Sequence, residues 1–155
     1  LTQKAYIGNS ITLADHIETQ FRDNLKKFVK ETREKKATPV LLTPVARRKF
    51  SADGKIEGTH DVYAQIVRDV AAVEKVLLID LDRKSQALYQ QMGDVHSKLL
   101  FVQLKRGEHP NYPEGKEDNT HFNELGARLI AQIVLQEIKA LNPELSERII
   151  SRVNK

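Results

Sequence analysis

Asp118 and His121 stand three residues apart in the stretch Asp118-Asn119-Thr120-His121-Phe122-Asn123-Glu124-Leu125-Gly126-Ala127, a polar loop running into an amphipathic helix. At that spacing the carboxylate can accept from one imidazole nitrogen while the other faces a cleft, which is the base and orienting acid of a hydrolytic triad. In such chemistry His121 takes a proton from a nucleophilic hydroxyl and returns it to the leaving group; Asp118 fixes the tautomer and stabilises the imidazolium. The same residues also suit a structural role, with Asp118 or Asn119 capping the following helix and His121 packed at its edge. His109, His121 and Asp118 could together ligate a metal, but no close His/carboxylate repeat of zinc-helix spacing supports that. No metal and no cofactor are expected.

These residues need a frame. From Asp15 to Lys36, Ile17, Phe21, Leu25, Phe28, Val29 and Thr32 share one helical face, which predicts a long helix against a core. Its lysines and arginines are interrupted by Glu31 and Glu34 and read as a solvated face rather than a nucleic-acid site. Pro39-Val40-Leu41-Leu42-Thr43 is a short apolar run closed by Pro44, as expected of a strand buried on both faces of a parallel sheet. The loop from Val45 to Gly58 carries Arg47, Arg48 and Lys49. Loops at the carboxyl ends of strands form the ligand crevice of open α/β sheets, so Arg47 and Arg48 are candidate contacts to an acidic substrate, with plain solvation as the alternative.

Thr59 is placed to cap a helix from His60 or Asp61 to Glu74 with a core stripe of Tyr63, Ile66, Val67, Val70 and Val73. His60, at its start, is a candidate substrate-side residue or an ordinary exposed histidine. Val76-Leu77-Leu78-Ile79-Asp80 predicts a second buried strand, Asp82 to Met92 a helix broken by Gly93, and Leu99 to Leu104 a shorter apolar stretch. Lys105 to Glu117, with two glycines and two prolines, reads as a long polar loop. Leu125, Leu129, Ile130, Ile133, Val134 and Ile138 line a core-facing helix, and Pro143 opens a last one through Leu145, Ile149 and Val153. Alternating helices and apolar strands indicate an α/β architecture. Gly8-Asn9-Ser10 superficially resembles a strand running into a nucleophile turn, but Leu1-Thr2-Gln3-Lys4 offers too little apolar length for the buried strand such a turn needs, so it is read as a loop.

With 155 residues, 40% of them apolar, the chain has the material for one globular domain with a real core. A formal charge of +4 spread over 30% charged residues is too modest to demand a nucleic-acid partner. Without cysteine there is no disulfide, thiolate nucleophile or Cys-ligated zinc. No apolar run approaches the ~20 residues of a membrane helix.

Taken together, four segments resemble the GDSL/SGNH hydrolases, and within them the rhamnogalacturonan acetylesterase-like branch: Thr38 to Phe50; Gly58-Thr59-His60 with Tyr63; Leu78-Ile79-Asp80-Leu81 with Ser85 and Leu88-Tyr89; and Asp118 to Ala127. The resemblance runs from about Ile17 onward. It implies a three-layer α/β/α, flavodoxin-like fold with a central parallel sheet, and serine-dependent removal of acetyl groups from a carbohydrate such as pectic rhamnogalacturonan. Asp118 and His121 match the acid and base of the family's final block. The family's Gly-Asp-Ser nucleophile block, its glycine block and its Gly-x-Asn-Asp oxyanion block have no counterpart here, and the residues after Ser10 resemble the family's segment beyond the asparagine block.

The chain therefore looks like a single unit, residues 1–155, forming the carboxyl-terminal portion of a hydrolase domain. Its sheet would be incomplete and completed by an amino-terminal remainder, and the isolated chain would be nearly inactive. The implied partner is an acetylated polysaccharide or a small ester, without nucleic acid or membrane, and the implied location is periplasmic or secreted. A short-chain lipid or aryl esterase of the same family, and a non-catalytic binding module on the same scaffold, are the competing readings.

Overall fold

A computed structural model describes residues 13–141 and 143–149; Gly8-Asn9-Ser10 and Val153 lie outside that range. The chain forms two compact units, one of residues up to Thr43 with Val62–Leu78, the other of Pro44–Asp61 with the residues from Ile79 onward.

The first unit is built on α1 (Leu13–Glu34), β1 (Val40–Leu42), α2 (Asp61–Glu74) and β2 (Leu77–Ile79). β1 and β2 are neighbours running parallel, and α2 lies in the connection that a parallel pair requires. α1 buries Val29, and its Phe21 meets Tyr63 of α2 edge to face at 5.1 Å between ring centroids. Arg22 pairs with Asp69 at 3.2 Å and Arg33 with Glu74 at 3.9 Å, so α1 is tied to α2 by both apolar and ionic contacts.

Ile17 and Phe28 are exposed, which narrows the expected apolar face of α1 to Phe21, Leu25, Val29 and Thr32. The buried stripe of α2 is likewise Ala64, Ile66, Val67, Val70 and Ala71, whereas Tyr63 and Val73 are exposed. The expectation that β1 is buried on both faces is corrected: Val40 and Leu42 are exposed. A parallel strand is covered on both faces only where helices and further strands flank it. Among the described residues β1 pairs with β2 alone.

The second unit contains α3 (Leu81–Ser97), a 3₁₀ turn (Lys98–Leu100), β3 (Phe101–Leu104), β4 (Lys116–Phe122), α4 (Glu124–Leu141) and the short α5 (Pro143–Glu147). Asp80 caps α3, accepting from the Arg83 amide at 3.4 Å. The predicted interruption at Gly93 is present, with φ 73° and ψ 172°, and the chain resumes helix beyond it. β3 and β4 form an antiparallel pair around the Lys105–Gly115 connection. β4 escaped the sequence reading because Lys-Glu-Asp-Asn-Thr-His-Phe shows none of the apolar alternation of a strand.

One core cluster gathers Ala46, Tyr89, Leu100 and Phe101, with Phe122 and Leu129 against them; a second gathers Ile79, Leu81 and Ile130, with Val45, Ile133, Val134 and Ile138. Leu125, expected in the core face of α4, is exposed. Gly126 takes its place at the contact: a Cβ there would overlap the Leu100 carbonyl oxygen, so only glycine lets the start of α4 lie on the turn before β3. α5 closes at Glu147 in a turn rather than continuing through Ile149.

Candidate active site

The register of the β3–β4 pair explains how Asp118 and His121 are presented. Phe101 pairs with Phe122, and Gln103 with Glu117, so two steps along β3 face five along β4. The surplus residues are extruded as an irregular bulge, the device by which strands re-aim side chains next to functional sites. Phe122 then returns to the core, 4.9 Å from the ring of Phe101. The bulge leaves the His121 side chain 77% exposed and Asp118 only 14%.

Within the bulge Asp118 acts as a local acceptor for three donors. Its Oδ1 accepts from the amides of Thr120 at 2.7 Å and His121 at 2.9 Å, and its Oδ2 lies 2.8 Å from His121 Nδ1. Both oxygens are thereby directed, and the imidazole is held by Nδ1 with Nε2 left for another partner. The two amide bonds, followed by the imidazole, hold the Asp118 carboxyl well below the usual carboxylate range. A depressed folded-state value means that this stabilisation is complete above the unfolded value, ~4 for aspartate, and disappears as pH falls toward the lower folded value. The stability difference between the native chain and Asp118→Asn is therefore expected to persist from pH 8 to about pH 5 and to shrink below about pH 4. Urea midpoints across that range check it; a difference that stays undiminished below about pH 4 would contradict it.

The helix-capping alternative for Asp118 and Asn119 does not hold, because Asn123 performs that task. Its Oδ1 accepts from the Gly126 amide at 3.0 Å, while its Nδ2 donates to the carbonyls of Leu99 at 2.8 Å and Phe101 at 3.1 Å. An Asn three residues before Gly126, at the start of an apolar helical period, is the sequence signal of that cap. Gln103 also escaped the sequence reading; it donates to the Asp118 carbonyl at 2.8 Å, and nothing in its local sequence announces the role.

Of the other candidates, Arg47 is exposed, and its backbone amide donates to Thr59 Oγ1 at 3.0 Å. That hydroxyl also lies 3.1 Å from His60 Nδ1, so Thr59 joins the Arg47 loop to His60 instead of capping α2. Arg48 is corrected: it is not an exposed substrate contact. Its side chain is 4% exposed, and the guanidinium is spent on Ser97 Oγ at 2.8 Å, Asn119 Oδ1 at 2.9 Å and Asp94. Ser85 and Tyr89 hold the same loop, Ser85 Oγ accepting from the Ala46 amide at 3.0 Å and Tyr89 donating to the Ala46 carbonyl at 3.1 Å. Burial pushes the Tyr89 hydroxyl far up, which keeps it a neutral donor. Among the described residues no three His, Cys, Asp or Glu side chains converge as metal ligands, and no helix is long and apolar enough to cross a membrane.

No protein-family profile matches the chain. It is 38% identical over 165 aligned positions to the rhamnogalacturonan acetylesterase RhgT of Bacillus subtilis, covering 96% of this chain and 71% of that protein. It is 35% identical to the probable rhamnogalacturonan acetylesterase YesY of the same organism, covering 85% of this chain and 56% of that protein. A crystal structure of B. subtilis YxiM superposes with a TM-score of 0.65 at 25% identity, over 84% of this chain and 34% of YxiM, which is elsewhere described as an uncharacterized esterase. The α/β architecture with a parallel strand pair is thus shared with an esterase, and the sequence match extends over most of RhgT. The chain belongs to the GDSL/SGNH hydrolases, on the branch of the rhamnogalacturonan acetylesterases.

Proposed function

We propose that this polypeptide supplies the acid–base half of a serine-dependent acetylesterase acting on a carbohydrate, rhamnogalacturonan by the names of its relatives, through an acyl-enzyme. The observation that carries the proposal is the 2.8 Å contact from Asp118 Oδ2 to His121 Nδ1 beneath an exposed imidazole. In the first half-reaction Nε2 of His121 accepts the proton of a serine hydroxyl as that oxygen attacks the acetyl carbonyl, and returns it to the departing sugar hydroxyl. In the second it activates water against the acyl-serine, with Asp118 stabilising the imidazolium throughout.

The proposal also places the 155 residues as one portion, the carboxyl-terminal one, of a hydrolase domain whose remainder carries the serine, provides the oxyanion donors and completes the sheet. Arg47 and His60 are the proposed substrate contacts, the cationic loop suiting an acidic polysaccharide. The proposed partner is the acetylated polymer rather than nucleic acid or membrane, and the proposed location is periplasmic or secreted.

Acetate release from acetylated rhamnogalacturonan, acetylxylan and p-nitrophenyl acetate tests this, using the 155 residues alone and the same chain extended by the residues encoded upstream. Oxyanion donors are worth about 10²–10³ in rate and the nucleophile more, so the extension is expected to raise activity at least about a thousandfold. Strong activity of the 155 residues alone that is lost in Ser10→Ala would overturn the placement of the serine.

A further inference from the structure

We propose that Arg48 is a positioning residue for the Asp118–His121 pair, a role that rests on the hydrolase reading above. Its leverage comes from the peptide between Asn119 and Thr120. The Arg48 backbone amide donates to the Asn119 carbonyl at 2.9 Å, and the Thr120 amide donates to Asp118 Oδ1 at 2.7 Å. That carbonyl and that amide belong to one planar trans peptide unit and point in opposite directions, so fixing the first aims the second. The guanidinium then fixes the Asn119 side chain, with Nη1 donating to Asn119 Oδ1 at 2.9 Å. Arg48 thus holds Asn119 by backbone and side chain, at the first residue after the carboxylate.

The far side of the guanidinium is anchored on α3. Nε donates to Ser97 Oγ at 2.8 Å, and Nη2 donates to the carboxylate and the backbone carbonyl of Asp94. Asp94 follows Gly93, whose φ of 73° breaks the helix at this point, so the helix break and the brace coincide in the chain. Four acceptor atoms on three residues around one buried group call for the planar, multi-donor fork of arginine; an ammonium on a flexible stem cannot serve them all at once. The Arg48 side chain acts through Asn119 and the carboxylate.

The test is imidazole NMR of the 155-residue chain, which needs no turnover. His121 is expected to hold its proton on Nδ1, facing Asp118, as a single tautomer in the native chain and to exchange between tautomers in Arg48→Lys. Asn119→Ala removes one acceptor of the guanidinium and leaves the Ser97 and Asp94 anchors in place; it should loosen the tautomer in a chain that still folds, and it decides the matter if Arg48→Lys fails to fold. In the acetate-releasing extended protein, each variant should lower kcat about 10- to 100-fold with KM unchanged, the scale set by small misplacements of reacting groups. A single unchanged tautomer in folded Arg48→Lys, or in Asn119→Ala where that variant decides, overturns the role of Arg48. Absence of the Nδ1 tautomer from the native chain would instead remove the hydrolase reading itself.

Discussion

Replacing His121 by alanine in the acetate-releasing protein is expected to lower kcat by about 10³-fold or more, the scale seen when a triad member is removed. Folding should hardly change, because the ring is 77% exposed and substitutions at such sites usually fall within about 0.5 kcal/mol. Asp118→Asn is the sharper companion. The asparagine Oδ1 can still accept from the amides of Thr120 and His121, so the bulge survives. Its amide group would turn a donor toward His121 Nδ1, favouring the tautomer that cannot take a proton at Nε2. Its kcat should fall about 10⁴-fold in a protein that remains folded above pH 5, with the unfolding midpoint lowered there by the stability that the Asp118 charge contributes. Initial rates on p-nitrophenyl acetate, with circular dichroism as a folding control, separate the two effects. A His121→Ala protein that retains its turnover would leave the pair as a surface hydrogen bond and nothing more.

How far this site could be read in the sequence depends on which physical signal each residue leaves behind. The pairing of Asp118 with His121 is written in residue type and spacing, and the structure brings the two together at 2.8 Å as that spacing suggests. The bounds of α2 and the break at Gly93 were legible too, since apolar period and glycine punctuation act locally. β4 was not legible: its strand character comes from pairing with β3, and its alternation is destroyed by the bulge that makes it useful. Arg48 misled in the opposite sense. A cation in a loop normally seeks water, and only the tertiary approach of Ser97, Asp94 and Asn119 turns it inward. The resemblance in four segments named the family that the comparison with RhgT independently shows. Two of its marker residues, Ser85 and Tyr89, are explained by the loop they hold rather than by contact with a substrate.

The largest stability effect should come from Phe101. It is 1% exposed, and its ring meets Tyr89 edge to face at 5.4 Å and Phe122 at 4.9 Å. Phe101→Ala removes the transfer free energy of a whole aromatic side chain and leaves a cavity between two other rings, a loss of about 3–5 kcal/mol. At roughly 2–4 °C per kcal/mol for a chain of this size, the midpoint should drop by about 10 °C. Val73→Ala is the control: with Val73 69% exposed, its removal should cost no more than about 0.5 kcal/mol. The expected consequence reaches the site, because Phe122 is the residue that returns the chain to the core directly after His121. Without Phe101 the C-terminal anchor of the bulge loses its packing partner, so kcat in the extended protein should fall even at temperatures where the variant remains folded. Thermal unfolding and initial rates at 15 °C measure both. A midpoint within about 2 °C of the native chain would mean that the aromatic cluster does not hold β4 in place and that the Asp118–His121 geometry is maintained from elsewhere.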